Sequence, residues 1–406
     1  MEPAQIDRIE ELYIRHRDNP YPLYEQWRAL GPVLSDADGK IIVVGYTDSR
    51  AALVDPAISV DGRHSRWYKQ RAEKGEVTPE EQQRFADAPF IEMDPPEHTR
   101  HRVLVSQAFA SRAAKAGPRV QRVVDDRIGN LAANQADVVR DFAYTIPIRV
   151  LCELFNIDSS EERQQIQDWS HFISRSMDPS NPVDPAEVDR VSNDFRGYID
   201  RLVAERAANP GDDIVSALLS SDEGGQKLTP AEVTSAIWLL LVSGHETTSS
   251  LIASGLHSLI TDPALADKLR ADPGKIPAFV DELLRLTPLV QFLWRHVKED
   301  TTLPCGAKLS AGDTVVIVLA AANRDPEHFP NPDAIDLDGR GPQALSFGAG
   351  VHYCLGATLG RLQTAIALTT FLQRIGEPEI TEELPDSPLS LGGLTSLPIK
   401  YSPVPA

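Results

Sequence analysis

The stretch from Thr229 to Pro263 constrains the fold more than any other part of the chain. It opens on Thr229-Pro230-Ala231-Glu232, where threonine is a good helix N-cap, proline suits the first turn and glutamate can close a capping box. Its stop signal is Thr261-Asp262-Pro263. One helix of roughly 30 residues would be about 45 Å long at 1.5 Å per residue, enough to cross a whole domain. Such a helix must be largely buried. Its apolar run is interrupted near the middle by Ser243-Gly244-His245-Glu246-Thr247-Thr248.

Helix dominates elsewhere too. Pro118 to Ala132, Ser159 to Ser176, Pro185 to Ala208 and Pro277 to Leu286 all carry apolar residues at three- and four-residue spacing. Strands are short: Val33-Leu34-Ser35 and Lys40 to Val44 flank an Asp38-Gly39 turn and read as a hairpin, and Thr314 to Val318 forms a second β cluster. The expected fold class is mainly α with small β-sheets, an α+β arrangement. The 31 prolines and 25 glycines follow no repeat and mark no linker, so residues 1–406 read as a single domain.

Composition excludes several classes of function. With 42% apolar and 24% charged residues the chain is an ordinary globular one. Forty Lys and Arg against 59 Asp and Glu give a net charge of -19, which repels nucleic acid and anionic lipid, so neither is an expected partner. Met1-Glu2-Pro3-Ala4-Gln5 lacks the basic and apolar regions of a secretory signal, and Ala236 to Val242 falls far short of the ~18 apolar residues of a membrane span. A cytoplasmic protein is expected. The three cysteines, Cys152, Cys305 and Cys354, are too widely spaced for a disulfide framework or a zinc ribbon.

Cys354 stands apart from the other two. It lies in Phe347-Gly348-Ala349-Gly350-Val351-His352-Tyr353-Cys354-Leu355-Gly356, ahead of a helical pattern from Ala357 to Leu372. A loop thus presents a sulfur at a helix N-terminus, where unpaired N–H groups and the positive end of the dipole stabilise a thiolate. Glycines there let backbone and a flat ligand approach closely. An isolated cysteine beside a glycine-rich turn is ordinarily a buried free thiol; the residues around this one point elsewhere.

Phe347, Gly348, Gly350, His352, Cys354 and Gly356 resemble the haem-binding loop of the soluble bacterial cytochromes P450. The resemblance covers about Tyr21 to Tyr401 and implies that family's fold, with the long helix over the haem. It implies haem b as cofactor, iron held by the Cys354 thiolate, and a push of electron density that favours O–O cleavage. Phe347, Gly348 and Gly356 would shape the loop, and His352 would bind a haem propionate. The Ser243 to Thr248 segment resembles the oxygen-activation motif, in which Glu246 and Thr247 relay protons to dioxygen. A carboxylate in an apolar helix is costly unless partnered or functional, and Thr247 can bond back to the Ser243 carbonyl to open the helix locally.

Three further segments carry the resemblance. Glu282-Leu283-Leu284-Arg285 has the spacing of the E-x-x-R pair and would be structural; as an i,i+3 pair alone it is common and worth only ~0.2–0.5 kcal/mol. In the segment from Asp94 to Arg102, His98 and Arg102 share one helical face and would bind propionate, as would Arg295. The sequence departs from the family at Ala334, where an arginine usually completes the Glu282–Arg285 pair, and Arg340 is the candidate substitute. Ser243 and Gln363 are smaller departures.

By the same resemblance the chain would be a monooxygenase acting on a small organic substrate with dioxygen, taking electrons from a ferredoxin and reductase, since no G-x-G-x-x-G fingerprint follows a strand. A monomer is expected. Oxidative coupling or desaturation at the same site is the alternative; a non-catalytic haem carrier or gas sensor would not need Glu246 and Thr247. Pocket candidates are Trp67, Ser243, Gly244, Val290, Gln291, Phe292 and Thr395. Arg63, His64, Arg66, Trp67 and Tyr68 make the pocket segment polar and aromatic, which favours a polar or aromatic natural product of secondary metabolism. From His98 to Arg122 the chain carries Arg100, Arg102, Arg112, Lys115, Arg119 and Arg122 with no acid, which reads with Arg361 as a docking patch for an acidic ferredoxin.

Overall fold

The computed structural model describes residues 3–16, 18–86, 88–131, 134–177, 183–339, 341–382, 384 and 393–403. Helices make most of it, with small sheets at the edge, as the expected class requires. The long helix runs from Pro230 to Thr261, with both halves of the capping box formed between Thr229 and Glu232. Most of it is buried, against the helices Thr145–Leu154, Ser160–Ser176, Pro185–Ala208 and Ala357–Arg374. Among the described residues no helix is long and apolar enough to cross a membrane.

The other expected helices appear with small shifts. Pro185–Ala208 keeps its bounds, Pro277 to Leu286 becomes Ile276–Leu286, and Ser159 serves as N-cap to Ser160–Ser176. The Pro118 to Ala132 pattern becomes Gly117–Gly129, and Ala132 lies outside the described residues.

Val33–Asp36 and Ile41–Val43 pair antiparallel across the Asp38-Gly39 turn, as the sequence implies. They belong to a six-stranded sheet ordered Ala4–Ile6, Val33–Asp36, Ile41–Val43, Thr314–Val318, Phe292–Val297, Ile58–Ser59. Thr314–Val318 pairs parallel with the hairpin strand and antiparallel with Phe292–Val297, which ties residues ~270 apart in sequence into one layer. A three-stranded sheet joins Gln135–Asp137 to Pro398–Pro403 and Ile375–Ile380.

Close backbone approach fixes the long helix over the cysteine helix. A Cβ on Gly255 would lie 2.7 Å from Leu368 Cδ1 and 3.0 Å from Leu283 Cδ1, so glycine lets three helices meet. Nearby, Arg285 is 3% exposed and donates to both oxygens of Glu282 at 2.8 Å. It also donates to the carbonyls of Pro332 (2.6 Å), Ala334 (2.7 Å) and Asn323 (3.3 Å), while Glu282 accepts the Asp336 amide at 2.8 Å. The Asp336 amide thus gives Glu282 a donor where an arginine at 334 is missing, and the three carbonyls take up the remaining donors of Arg285. Arg340 lies outside the described residues.

Arg285→Ala would leave Glu282 without its cation and three carbonyls without a donor. Breaking a buried pair in this way costs about 3–5 kcal/mol. Urea unfolding of the variant is expected to show a loss of that size, and Arg285→Lys a large part of it because the planar fork is lost.

Candidate functional site

The loop before Ala357–Arg374 folds on its own backbone. Cys354 N donates to Phe347 O at 2.9 Å, Gly348 N to Leu345 O at 2.7 Å and Tyr353 N to Gly350 O at 3.1 Å. Gly348 and Gly350 both take φ of +69°, a region that L side chains avoid. A Cβ on Gly350 would also press to 3.1 Å from Leu53 O, and one on Gly356 would stand 3.9 Å from Cys354 Sγ.

Burial pushes the Cys354 thiol up; the amides of Gly356 and Ala357 and the guanidiniums of Arg102 and Arg361 pull it down. Arg102 reaches the loop directly, donating to Tyr353 O at 2.6 Å. Arg361 lies over the Phe347 ring at 4.6 Å and pairs with Asp281 at 2.7 Å.

Beside the loop the structure gathers His98, His352, Arg102 and Arg295 into one neighbourhood. The His98 and His352 rings are 4.2 Å apart, and neither nitrogen of buried His98 has a partner. Burial, then His98 and Arg295, push the His352 imidazole down to about 4, and burial lowers Arg295 to about 10. Asp94 is the acid facing this cluster, and Ser59 Oγ and Val60 N already hydrogen-bond it. Four basic groups with too little negative charge among them make a receptor for anions. Sequence reasoning missed Asp94, whose approach to Ser59 depends on the fold.

Above the cysteine helix the polar interruption is shaped as follows. Thr247 Oγ1 donates to Ser243 O at 2.7 Å and Ser243 Oγ to Leu239 O at 2.6 Å. The back-bond expected of Thr247 therefore forms, but the helix continues through it, so the opening is not a break. Glu246 points elsewhere, accepting from the Tyr144 hydroxyl and lying 2.9 Å from His171 Nδ1. Sequence reasoning missed both partners, which lie 102 and 75 residues away.

Several pocket candidates are placed otherwise than expected. Trp67 is 64% exposed and stacks with Arg71. Gln291 accepts from the Tyr24 hydroxyl at 2.8 Å and Phe292 packs edge-on against the Tyr24 ring, so both are taken up by the N-terminal cluster. A Cβ on Gly244 would meet Leu151 at 3.1 Å, so this face is closed by the Thr145–Leu154 helix. Ser243 and half-buried Val290 remain open, and Thr395 lines a cavity with Glu246. The polarity of the Arg63 to Tyr68 segment is spent locally: Arg63 binds Asp61 and Arg66 binds Asp313.

The basic run is likewise paired. Arg100 binds Glu232, Arg112 binds Asp212, Arg119 and Arg122 bind Glu153, and Arg102 is given to the loop. The acids come from other elements, which a count along the segment cannot see. Among the described residues only Lys115 and Arg102 of the run make no ion pair, and Arg102 is held by a carbonyl, so this face is no bare cationic patch.

A half-buried sulfur at a helix start, under a long helix and beside an unneutralised cluster of bases, defines a site for a flat group carrying a metal and carboxylates. The family model described as Cytochrome P450 matches residues 41–274 and 275–401. Among curated relatives, the cytochrome P450 monooxygenase PikC of Streptomyces venezuelae is 35% identical over 94% of this chain and 91% of its own length. The vitamin D(3) 25-hydroxylase of Pseudonocardia autotrophica is 36% identical over 86% of this chain and 85% of its own. Of solved structures, the P450 enzyme CxnD, described as forming a C–S bond in chuangxinmycin biosynthesis, superposes with a TM-score of 0.84 at 28% identity over 99% of both chains. The chain belongs to the cytochrome P450 family and is a P450 monooxygenase, which implies haem, an organic substrate, dioxygen and an electron-transfer partner.

The residues present fit that cofactor. The unpartnered His98 nitrogens and the mutually repelling bases suit its carboxylates, and the glycine loop leaves room for a flat face beside Cys354. Gly350→Ala is expected to destabilise the protein by about 1–3 kcal/mol through its positive φ, read by urea unfolding. Gly356→Ala, at φ −80°, should cost less in stability.

Proposed function

We propose that Cys354 would hold the iron of a haem b whose propionates His98, Arg102, Arg295 and His352 would take, in a single-domain, monomeric, cytoplasmic enzyme. The observation that carries this reading is the convergence of those four bases beside a cysteine at a helix start. When bound, a thiolate-ligated haem activates dioxygen, the sulfur pushing electron density that favours O–O cleavage.

The chain's own residues do the rest. Amides at Gly356 and Ala357 hold the negative charge on Cys354 Sγ. Phe347 and Gly348 shape the loop, and Glu282 with Arg285 fixes the backbone behind it. Thr247 donates its hydroxyl proton to Ser243 O, which leaves the lone pairs of Oγ1 to accept a water or proton from the pocket side. Glu246, about 100° around the helix from Thr247, is the carboxylate that takes up protons and passes them on. Substrate would lie along Ser243, Val290 and Thr395.

The substrate is a small natural product, and hydroxylation is the reaction supported best by the names of the relatives: a vitamin D(3) hydroxylase, and the mycinamicin IV hydroxylase/epoxidase of Micromonospora griseorubida at 35% identity. The case for a polar substrate weakens with the pairing of Arg63 and Arg66. Oxidative coupling is the second reading, favoured by the likeness to a C–S bond-forming enzyme. A ferredoxin-type donor is proposed, docking on the Cys354 side by shape and local contact more than by net charge. A mass-spectrometric turnover screen with surrogate redox partners tests substrate and reaction together.

Cys354→Ala should abolish the strongly red-shifted Soret band of the reduced carbonyl complex, while Cys152→Ala and Cys305→Ala keep it. Arg295→Leu, losing a charge-assisted bond worth about 1.5–3 kcal/mol, should speed haem transfer to apomyoglobin by ten-fold or more (~1.4 kcal/mol per decade). Thr247→Ala should retain haem yet divert reductant to hydrogen peroxide, with product per reductant down about tenfold or more.

A further inference from the structure

Glu246 and Thr247 are neighbours in sequence but diverge by about 100° around the helix. Thr247 turns along the helix to Ser243 O, whereas the Glu246 carboxylate enters a cavity of about 480 Å³ between the long helix, the Ser160–Ser176 helix and the Gly393 to Thr395 segment. There its Oε1 accepts from the Tyr144 hydroxyl and lies 2.9 Å from His171 Nδ1. Tyr144 is set by a tilted ring contact with buried His245, whose Nε2 lies 3.1 Å from Tyr144 O. Burial, and then Glu246 itself, push the Tyr144 phenol far above its usual range, so it stays protonated and serves as a fixed donor. His171 differs: its side chain is 49% exposed, and its two ring nitrogens let one ring touch the carboxylate and solvent at once.

We infer that His171 is the solvent-side proton carrier that recharges Glu246. This rests on the reading of Glu246 and Thr247 as the proton-handling pair and names where the pair draws its protons. Hydronium in the cavity gives a proton to Nε2 and is left as water; the Nδ1–H bond breaks as an O–H bond forms on Glu246 Oε1. One proton moves inward, no electrons move, and exchange through cavity water, in which Nε2 releases a proton as Nδ1 takes one up, restores the starting tautomer. The other charged or titratable groups that face the ring are Asp168 and Arg175 from its own helix, Arg140 and Tyr144 from the segment opposite, and His245 beneath. Asp168 is engaged by Gln164 at 2.9 Å and Arg140 lies 3.8 Å from both Asp137 and Asp141, so His171 is the group in contact with the carboxylate that also reaches solvent.

Two variants separate carrying a proton from merely holding the carboxylate. His171→Gln keeps an amide donor but cannot carry a proton; His171→Phe removes donor and charge together. Infrared pH titration of the holoenzyme gives a readout free of turnover, with the Glu246 carboxyl stretch assigned by its loss in Glu246→Gln. Because His171 helps hold Glu246 below the usual carboxylate range, the protonated stretch should appear at higher pH in His171→Phe than in wild type. The second readout needs no substrate: the share of consumed reductant recovered as hydrogen peroxide, not water, with a surrogate ferredoxin and reductase across pH 6–9. In wild type that share should rise with pH as protons become scarcer in the cavity. In His171→Gln it should be high throughout, about threefold or more above wild type at the acid end, and flat. An unshifted carboxyl stretch in His171→Phe overturns the inference. So does a wild-type peroxide share and pH slope in His171→Gln while Thr247→Ala raises the share; if Thr247→Ala also leaves it unchanged, the reading of the pair fails with it.

Discussion

Holding a negative sulfur where water is largely withdrawn from it is the constraint on which the site depends. Desolvation alone pushes the Cys354 thiol upward, so the ionised form needs compensation built into the backbone. The compensation comes from three levels at once: two amides at the start of the Ala357–Arg374 helix, the Arg361 guanidinium one turn further on, and Arg102 from a distant helix. Arg102 does double work, because its bond to Tyr353 O also ties the loop to the Glu97–Ala114 helix. The electrostatic demand of one atom thereby fixes the relation of two helices.

The long helix faces the opposite difficulty, carrying polar groups through a largely apolar interior. Its hydroxyls are satisfied by bonding back four residues: Ser243 to Leu239, Thr247 to Ser243, Ser249 to His245 and Ser250 to Glu246. Such bonds add acceptors at carbonyls already in the ladder and bend a helix without cutting it, which matches its unbroken course from Pro230 to Thr261. Glu246 cannot be satisfied that way, so its charge is met by side chains from two other helical segments, and its placement opens a wet side to an otherwise closed helix.

What was legible in the sequence follows the range of the forces involved. Caps and breakers act within four residues, so the ends of Pro230–Thr261 and Pro185–Ala208 could be read directly, as could the Val33 to Val43 hairpin from its Asp38-Gly39 turn. The convergence of His98 with His352 was accessible only through resemblance, since no local pattern links positions 254 residues apart. Facing errors arose where burial direction is set by distant partners. Gln291 and Phe292 turn to Tyr24, and the acids that pair Arg100, Arg112 and Arg122 come from elements that a segmental charge count omits.

The Ala334 departure shows how such a fold tolerates change at a position that a motif treats as essential. A guanidinium offers five donors in a plane, and a buried one must find an acceptor for each. Arg285 places two on Glu282 and the others on the carbonyls of Asn323, Pro332 and Ala334. Carbonyls accept at any residue type, so the segment from Asn323 to Asp336 needs only its backbone path to serve Arg285, and a side chain at 334 is free to vary. Glu282 in turn takes the Asp336 amide, closing a ring of contacts in which every remaining requirement is met by main chain. The Phe329 ring, its centroid 5.1 Å from the guanidinium carbon, adds a cation–π contact to the same arginine. The motif is therefore a statement about one arginine and the backbone it gathers, and the third side chain is one of several ways to neutralise Glu282.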